Sequence, residues 1–279
     1  MFLYIIFLMP LMHGARAHCR PEYQKMPPGM THTACKPPPS SCNKIDSGVS
    51  AGDKKVILET HNRLRSQIAS GKVPGYPPAT NMYQLEWDNE LADVAQAHAD
   101  QCKFKHDNSG ERFTTTFSAV GQNLATTGTT DPSATEDWST VIQGWFDEYK
   151  LVSASVIRRF SSGRHGHFTQ VVWAKTKYIG CGLLKYKKGA FVSWLYTCNY
   201  GPAGNYLGDP VYDDNGATCS KCPGDAPCYK ATNLCIAPGK GSSVQGSASM
   251  QRISSPICIM FSVVVSLLGA ALHFIQGPR

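Results

Sequence analysis

Between residues 51 and 102 the apolar positions recur at helical intervals. Ile57, His61, Leu64 and Ile68 are spaced 4, 3 and 4 apart, which places them on one stripe of a helix beginning near Asp53. Gly71 and Pro74 end it. A Pro-rich run over 73–78 leads to Leu85-Glu86-Trp87, and Asp88 or Asn89 can cap a second helix whose stripe is Leu91, Ala95, His98 and Cys102. A third helix is predicted from about Asp137 to Lys150, with Val141, Trp145 and Glu148 on one face. The period then changes: residues 179–186 and 191–200 are β-rich runs around Lys187-Lys188-Gly189-Ala190, which reads as a hairpin. Helices on both sides of a sheet follow if the hairpin joins a strand from elsewhere, so the class is α/β. His61 and His98 fall within apolar stripes and read as hydrogen-bonded core histidines, while Trp145, Trp173 and Trp194 read as core aromatics.

The ends carry a different pattern. Residues 2–12 are almost wholly apolar and Ala15-Arg16-Ala17 supplies small residues at a cleavage site, so residues 1–17 read as a secretory signal peptide. Residues 18–50, rich in Pro and Cys, read as an extended arm held by disulfides. Residues 257–275 contain no formal charge, and a Gly/Ser linker over 239–256 precedes them. That layout fits a signal for a glycosylphosphatidylinositol anchor, with Ser243, Gly246 and Ser247 as candidate attachment positions. The alternative is a transmembrane helix, but Arg279 alone follows as a positive charge, which gives a stop-transfer reading little support. The expected location is therefore extracellular or at the cell surface, lipid-anchored in preference to spanning.

Cysteine usage agrees with secretion. Of 11 cysteines, Cys258 lies in the apolar tail, leaving Cys19, Cys35, Cys42, Cys102, Cys181, Cys198, Cys219, Cys222, Cys228 and Cys235. An even set behind a signal peptide implies five disulfides, although spacing alone leaves their connectivity open. Cys219 and Cys222 also offer a zinc pair, but no second Cys pair or His pair of matching spacing follows, and disulfides are favoured. The net charge of +7 shrinks once the signal and residues 250–279 are set aside, because 24 basic residues then face 20 acidic ones. This excess supports no nucleic-acid partner.

Two long strings then narrow the class: Gly166-His167-Phe168-Thr169-Gln170 running on to Trp173, and Tyr196-Thr197-Cys198-Asn199-Tyr200 running on to Tyr206. With His61-Asn62-Arg63-Leu64-Arg65 and Gly121-Gln122-Asn123-Leu124 before them, they resemble the motifs of the CAP superfamily of cysteine-rich secretory, antigen-five venom allergen and plant pathogenesis-related proteins. Thr31-His32-Thr33-Ala34-Cys35 and Pro77-Pro78-Ala79-Thr80 point within it to arthropod antigen-five proteins, with a tick or similar parasite as the implied source. The resemblance implies a three-layer α-β-α sandwich around an antiparallel sheet over 51–210. It also implies a small disulfide-rich hinge module over 211–238 and the pairs Cys19–Cys35, Cys42–Cys102 and Cys181–Cys198. Asn62 and Asn199, both motif residues, read as groups that satisfy backbone.

The resemblance further places two histidines and acidic residues in one central cleft. Mapped here, these are His106, Glu148 and His167, with Gln122 at a position that holds glutamate in many members. His106, Glu148 and His167 could bind zinc or another divalent metal, and His165 is an optional extra ligand on a loop. An amide at 122 orients water but takes no proton, so the departure disfavours metal-assisted hydrolysis. The alternative is a structural hydrogen-bond network. No catalytic residue is assigned and no cofactor is required. The expected function is non-enzymatic binding of a lipid or sterol-type ligand, or of a host or cell-surface protein. The metal-assisted, peptidase-like hydrolase is the runner-up.

Overall fold

The structure, a computed structural model, describes residues 19–224 and 226–237. The expected signal peptide and the expected linker and tail, with Ser243, Gly246 and Ser247, lie outside them. Among the described residues no helix is long and apolar enough to cross a membrane.

The first predicted helix is α1, Ala51–Ala69, and it starts two residues earlier than the pattern suggested because Ser50 closes a capping box with Asp53. Asp88 caps α2, Asn89–Ala99, through the Leu91 amide at 2.8 Å, and Asp137 caps α3, Trp138–Asp147. Two elements end sooner than predicted. Cys102 lies beyond α2 with φ of 59°, a conformation no α-helix contains, and it is bridged to Cys42. The third helix passes at Glu148 into a 3₁₀ turn over Glu148–Leu151.

The hairpin is β4, Tyr178–Lys188, and β5, Phe191–Gly201, turning on Gly189. The strand it lacked is β3, Gly121–Thr129, paired antiparallel with β5 from Gly121↔Tyr200 to Thr129↔Val192. On the other side of β4 lie β1, Lys44–Ser47, antiparallel, and β2, Glu86–Trp87, parallel. β1 falls inside the arm expected to be merely extended. β3 escapes a simple alternation reading because its first four residues are all buried.

Alternate residues of β4 and β5 face different layers. Ile179, Cys181, Leu183, Trp194, Tyr196 and Tyr200 join the main core with α1 and α3. Leu184 and Leu195 pack instead on Ala99 of α2. The approach of α2 is close: a Cβ at Gly180 would stand 2.1 Å from the Ala92 nitrogen, and one at Gly182 2.4 Å from the Gln96 Cα. Two glycines in register thus let helix backbone rest on strand backbone. The result is an α-β-α sandwich. Trp145, Trp173 and Trp194 are all buried, as expected of core aromatics.

Arg65 lies fully buried in the α1 layer with no carboxylate among its hydrogen-bond acceptors. Its guanidinium donates to the carbonyls of Tyr83, Val171, Trp173, Ala174 and Thr176, tying α1 to the loop after α4, Gly166–Val171. The five disulfides are Cys19–Cys35, Cys42–Cys102, Cys181–Cys198, Cys219–Cys228 and Cys222–Cys235. The last two staple a hairpin of β6, Cys228–Tyr229, and β7, Leu234–Cys235. This module is stitched to the body at Met82 and Gln84, whose backbones bond Cys235 at 2.8 Å each.

Candidate functional site

β3 is an edge strand, and its first residues bring the two helical layers within reach of each other. A cleft of about 450 Å³ opens there, lined among others by His106, Gln122, Glu148 and His167. His106 comes from the segment after α2, Gln122 from β3, Glu148 from the turn after α3, and His167 from α4.

Gln122 and Asn123 are adjacent on a strand, so their side chains leave on opposite faces. Each is the middle of a chain of hydrogen bonds. On the α2 face the Leu91 carbonyl accepts from Asn199 Nδ2 (3.4 Å), Asn199 Oδ1 accepts from Gln122 Nε2 (3.2 Å), and Gln122 Oε1 lies 2.7 Å from His106 Nδ1. A backbone carbonyl can only accept, so every group after it has one orientation. His106 therefore carries its proton on Nδ1. On the other face His61 Nδ1 donates to the Ile57 carbonyl at 2.8 Å, and its Nε2 accepts from the Tyr200 hydroxyl at 3.0 Å. Asn123 Nδ2 donates to that hydroxyl oxygen at 3.3 Å and to the His167 carbonyl at 3.1 Å.

Glu148 is fully engaged. Its Oε1 accepts from His167 Nδ1 at 2.7 Å, while Oε2 accepts from the backbone amides of His167 (3.0 Å) and Phe168 (3.2 Å) at the start of α4. A carboxylate at that end of a helix meets unsatisfied N–H groups and favourable dipole. His106, Glu148 and His167, the expected metal set, line one cleft, and within it the Glu148 oxygens are directed to the His167 ring and the α4 amides. Among the described residues the only three potential ligand atoms within 4.8 Å of one another are the sulfurs of Cys219, Cys222 and Cys235, all held in disulfides. Both cleft imidazoles thus have Nδ1–H held by an oxygen and Nε2 without a hydrogen-bond partner among the described residues. This is the outer-shell arrangement that metal-binding histidines show, so the residues fit a divalent ion. Trp145 lies against the His167 ring, centroids 6.1 Å apart.

Although His106 is exposed on one side, partial desolvation of its ring holds it below the usual imidazole range, opposed by its bond to Gln122 and reinforced by Arg112 and His167. The neighbouring Asp107 is no free base either. Burial opposes its ionisation, but Arg112, His98 and a 2.5 Å bond from Thr33 keep the carboxyl below the carboxylate norm.

His165 is not part of this group. It is the buried residue preceding α4 and bonds the Ser161 carbonyl at 2.9 Å, and it does not line the cleft. His98, as a core histidine should, bridges the Thr197 hydroxyl and the Lys105 carbonyl, each at 3.0 Å. Asn62 pairs with both backbone groups of Leu85. Sequence reasoning missed Asn123, though it is the neighbour of Gln122 in one string, and Arg164, Leu151 and Asn205, which also line the cleft. Asn205 stands near the end of the string that runs on to Tyr206, whereas no pattern marks Arg164 or Leu151.

The fold and cleft together define a disulfide-braced α-β-α protein with two oriented imidazoles at a sheet edge. The chain matches the model described as CAP, the cysteine-rich secretory protein family, over residues 58–200, and it belongs to that family. It is 42% identical over 231 residues to a CRISP/Allergen/PR-1 protein of Trittame loki, covering 81% of this chain and 55% of the relative. Against a cysteine-rich venom protein of Tityus serrulatus it is 42% identical over 236 residues, with the same coverage of 81% and 55%. The chain thus spans about half the length of these two relatives. A venom allergen 5 of Dolichovespula arenaria is 41% identical over 204 residues, 69% of this chain and 98% of that one. Among solved structures, the crystal structure of NaASP2 with Zn2+ is similar at 29% identity, with a TM-score of 0.55 over 69% of this chain and 99% of that one.

Proposed function

We propose that this chain is an extracellular, non-catalytic binding protein whose cleft holds a divalent metal ion through Nε2 of His106 and Nε2 of His167. One observation carries the reading: each imidazole is fixed by an acceptor at Nδ1, whereas no carboxylate in the cleft is left to take a proton. Gln122 is an amide, and Glu148 already accepts from an imidazole and two amides. A bound ion would supply a Lewis-acidic centre with open positions for another donor. With Nε2 of both imidazoles on the ion, neither would remain free as a general base. The NaASP2 structure with Zn2+ supports zinc as the first ion to try.

The partner readings implied by family resemblance, a lipid or sterol ligand or a host or cell-surface protein, remain proposals. A protein partner has some support from exposed apolar residues beside the cleft: Phe104, two residues before His106, is 58% exposed, and the cleft-lining Leu151 is 62% exposed. A lipid anchor rests on the composition of residues 239–275 alone. Release from expressing cells by phosphatidylinositol-specific phospholipase C tests it, and retention refutes it.

The metal reading is tested by calorimetry. Zinc should bind the wild type weakly, as expected for two protein ligands, and not bind the His106→Ala/His167→Ala double variant. Unchanged zinc affinity in that variant places the metal elsewhere. Chelator-sensitive peptide hydrolysis by the wild type would install the hydrolase reading instead.

A further inference from the structure

The cleft offers a metal two imidazoles and stops there, one carboxylate short of a zinc site with two histidines and one acid. Its wall carries Arg164, exposed and without an ion-pair partner among the described residues. The same holds for Lys103 and Lys105, on the segment that bears His106, and for Arg159. Asp107 is paired with Arg112, Asp147 with Lys150 and Asp214 with Arg158, while Glu148 is hydrogen-bonded to the His167 ring and the α4 amides. Of these cations Arg164 is the one that lines the cleft, and its guanidinium has no ion-pair partner among the described residues.

Arg164 is also presented by a pinned loop. The His165 ring is tied back to the Ser161 carbonyl at 2.9 Å, and it packs so tightly that a Cβ at Gly163 would stand 2.6 Å from its Cε1. The guanidinium is thus carried at the cleft wall on a short, fixed turn, with exposed Leu151 lining the same cleft.

We propose that the cleft binds an acidic peptide segment, whose carboxylate completes the metal's coordination and pairs with Arg164 while an adjacent apolar side chain rests on Leu151. This rests on the metal reading above. A guanidinium matches a carboxylate in two parallel hydrogen bonds, and a hard oxygen donor suits zinc beside two imidazoles. A sulfated glycan is the competing anion, but it binds along extended basic tracks. Here one arginine sits inside a concave site of about 450 Å³, next to apolar surface.

The probe is a capped tripeptide with glutamate at its centre and leucine beside it, titrated calorimetrically into wild-type protein with and without zinc. The glutamate peptide should bind the zinc-loaded protein at least tenfold more tightly than the metal-free protein, and its glutamine counterpart should show no zinc dependence. Arg164→Ala, at an exposed position, should weaken the peptide about tenfold, the worth of one charge-assisted hydrogen bond, and leave zinc binding unchanged. Equal peptide affinity with and without zinc, an unaffected Arg164→Ala variant, or tighter binding of a sulfated disaccharide than of the peptide would each overturn the inference. Zinc binding without peptide binding refutes this inference alone. Absence of zinc binding to the wild type refutes the metal reading beneath it.

Discussion

Acidification should unfold this protein partly through one core histidine. His61 is fully buried between α1 and the sheet, and burial drives its pKa down from 6.5 to about 4, against the favourable Ile57 carbonyl and with Arg65 adding to the drop. In the unfolded chain the same imidazole titrates near the ordinary value. Between the two, the unfolded state holds a proton that the folded state does not, so stability is full above about pH 6.5 and is lost as the pH falls towards 4. A difference of that size is worth about 3 kcal/mol, at roughly 1.4 kcal/mol per pH unit. Protonation at Nε2 also removes the acceptor of the Tyr200 hydroxyl, and Tyr200 is linked through Asn123 to the His167 carbonyl. The test is denaturant unfolding of wild type and His61→Gln at several pH values from 7 to 4. His32, His98 and His106 are also held low by burial, but they are common to both proteins and cancel in the difference. The wild type should lose about 3 kcal/mol more than the variant over this range. A constant difference between the two curves would show that His61 is not held neutral and would refute the argument.

Three further outcomes follow from the same geometry. Arg65→Met strips the donor from five buried carbonyls and should cost about 3–5 kcal/mol by denaturant titration, with Arg65→Lys recovering only part; a loss below about 1 kcal/mol in the methionine variant contradicts this account. Gly182→Ala places a Cβ 2.4 Å from the Gln96 backbone and should cost roughly 1–3 kcal/mol by forcing α2 off the sheet, a shift that thermal melting detects. Gln122→Glu sets a carboxylate against Asn199 Oδ1 and beside His106 Nδ1, so it should lower stability and raise the His106 pKa in an NMR titration; an unmoved His106 would mean that the two side chains do not touch.

How much of this was legible in sequence depends on what each residue needed. The helix stripes of α1 and α2 and the β4–β5 hairpin showed themselves because each buries one face against a distinct layer, and periodicity records that. β3 did not, since its first half is buried on both faces and its second half is exposed, leaving no regular alternation. α4 is six residues long, too short for a period to register. The cleft positions came from string resemblance, and resemblance gives positions without roles. Glu148 illustrates the gap: its place in the cleft was readable from the strings, but not that its oxygens are directed to His167 and the α4 amides. Arg164 was invisible because an exposed arginine after Ser161-Ser162-Gly163 looks like any loop.

The amide at position 122 is intelligible from the hydrogen bonds alone. A carboxylate can only accept, and between Asn199 Oδ1 and His106 Nδ1–H it would satisfy one neighbour and repel the other. An amide accepts on one side and donates on the other, so it passes the polarity set by the Leu91 carbonyl through Asn199 to the imidazole. The neighbouring Asn123 serves the other face from the next residue of the same strand, linking Tyr200 to the backbone of α4. Two consecutive amides on one edge strand therefore reach both helical layers, one on each face of the sheet, by the period of two alone. Neither amide can take a proton, so both serve to orient their neighbours.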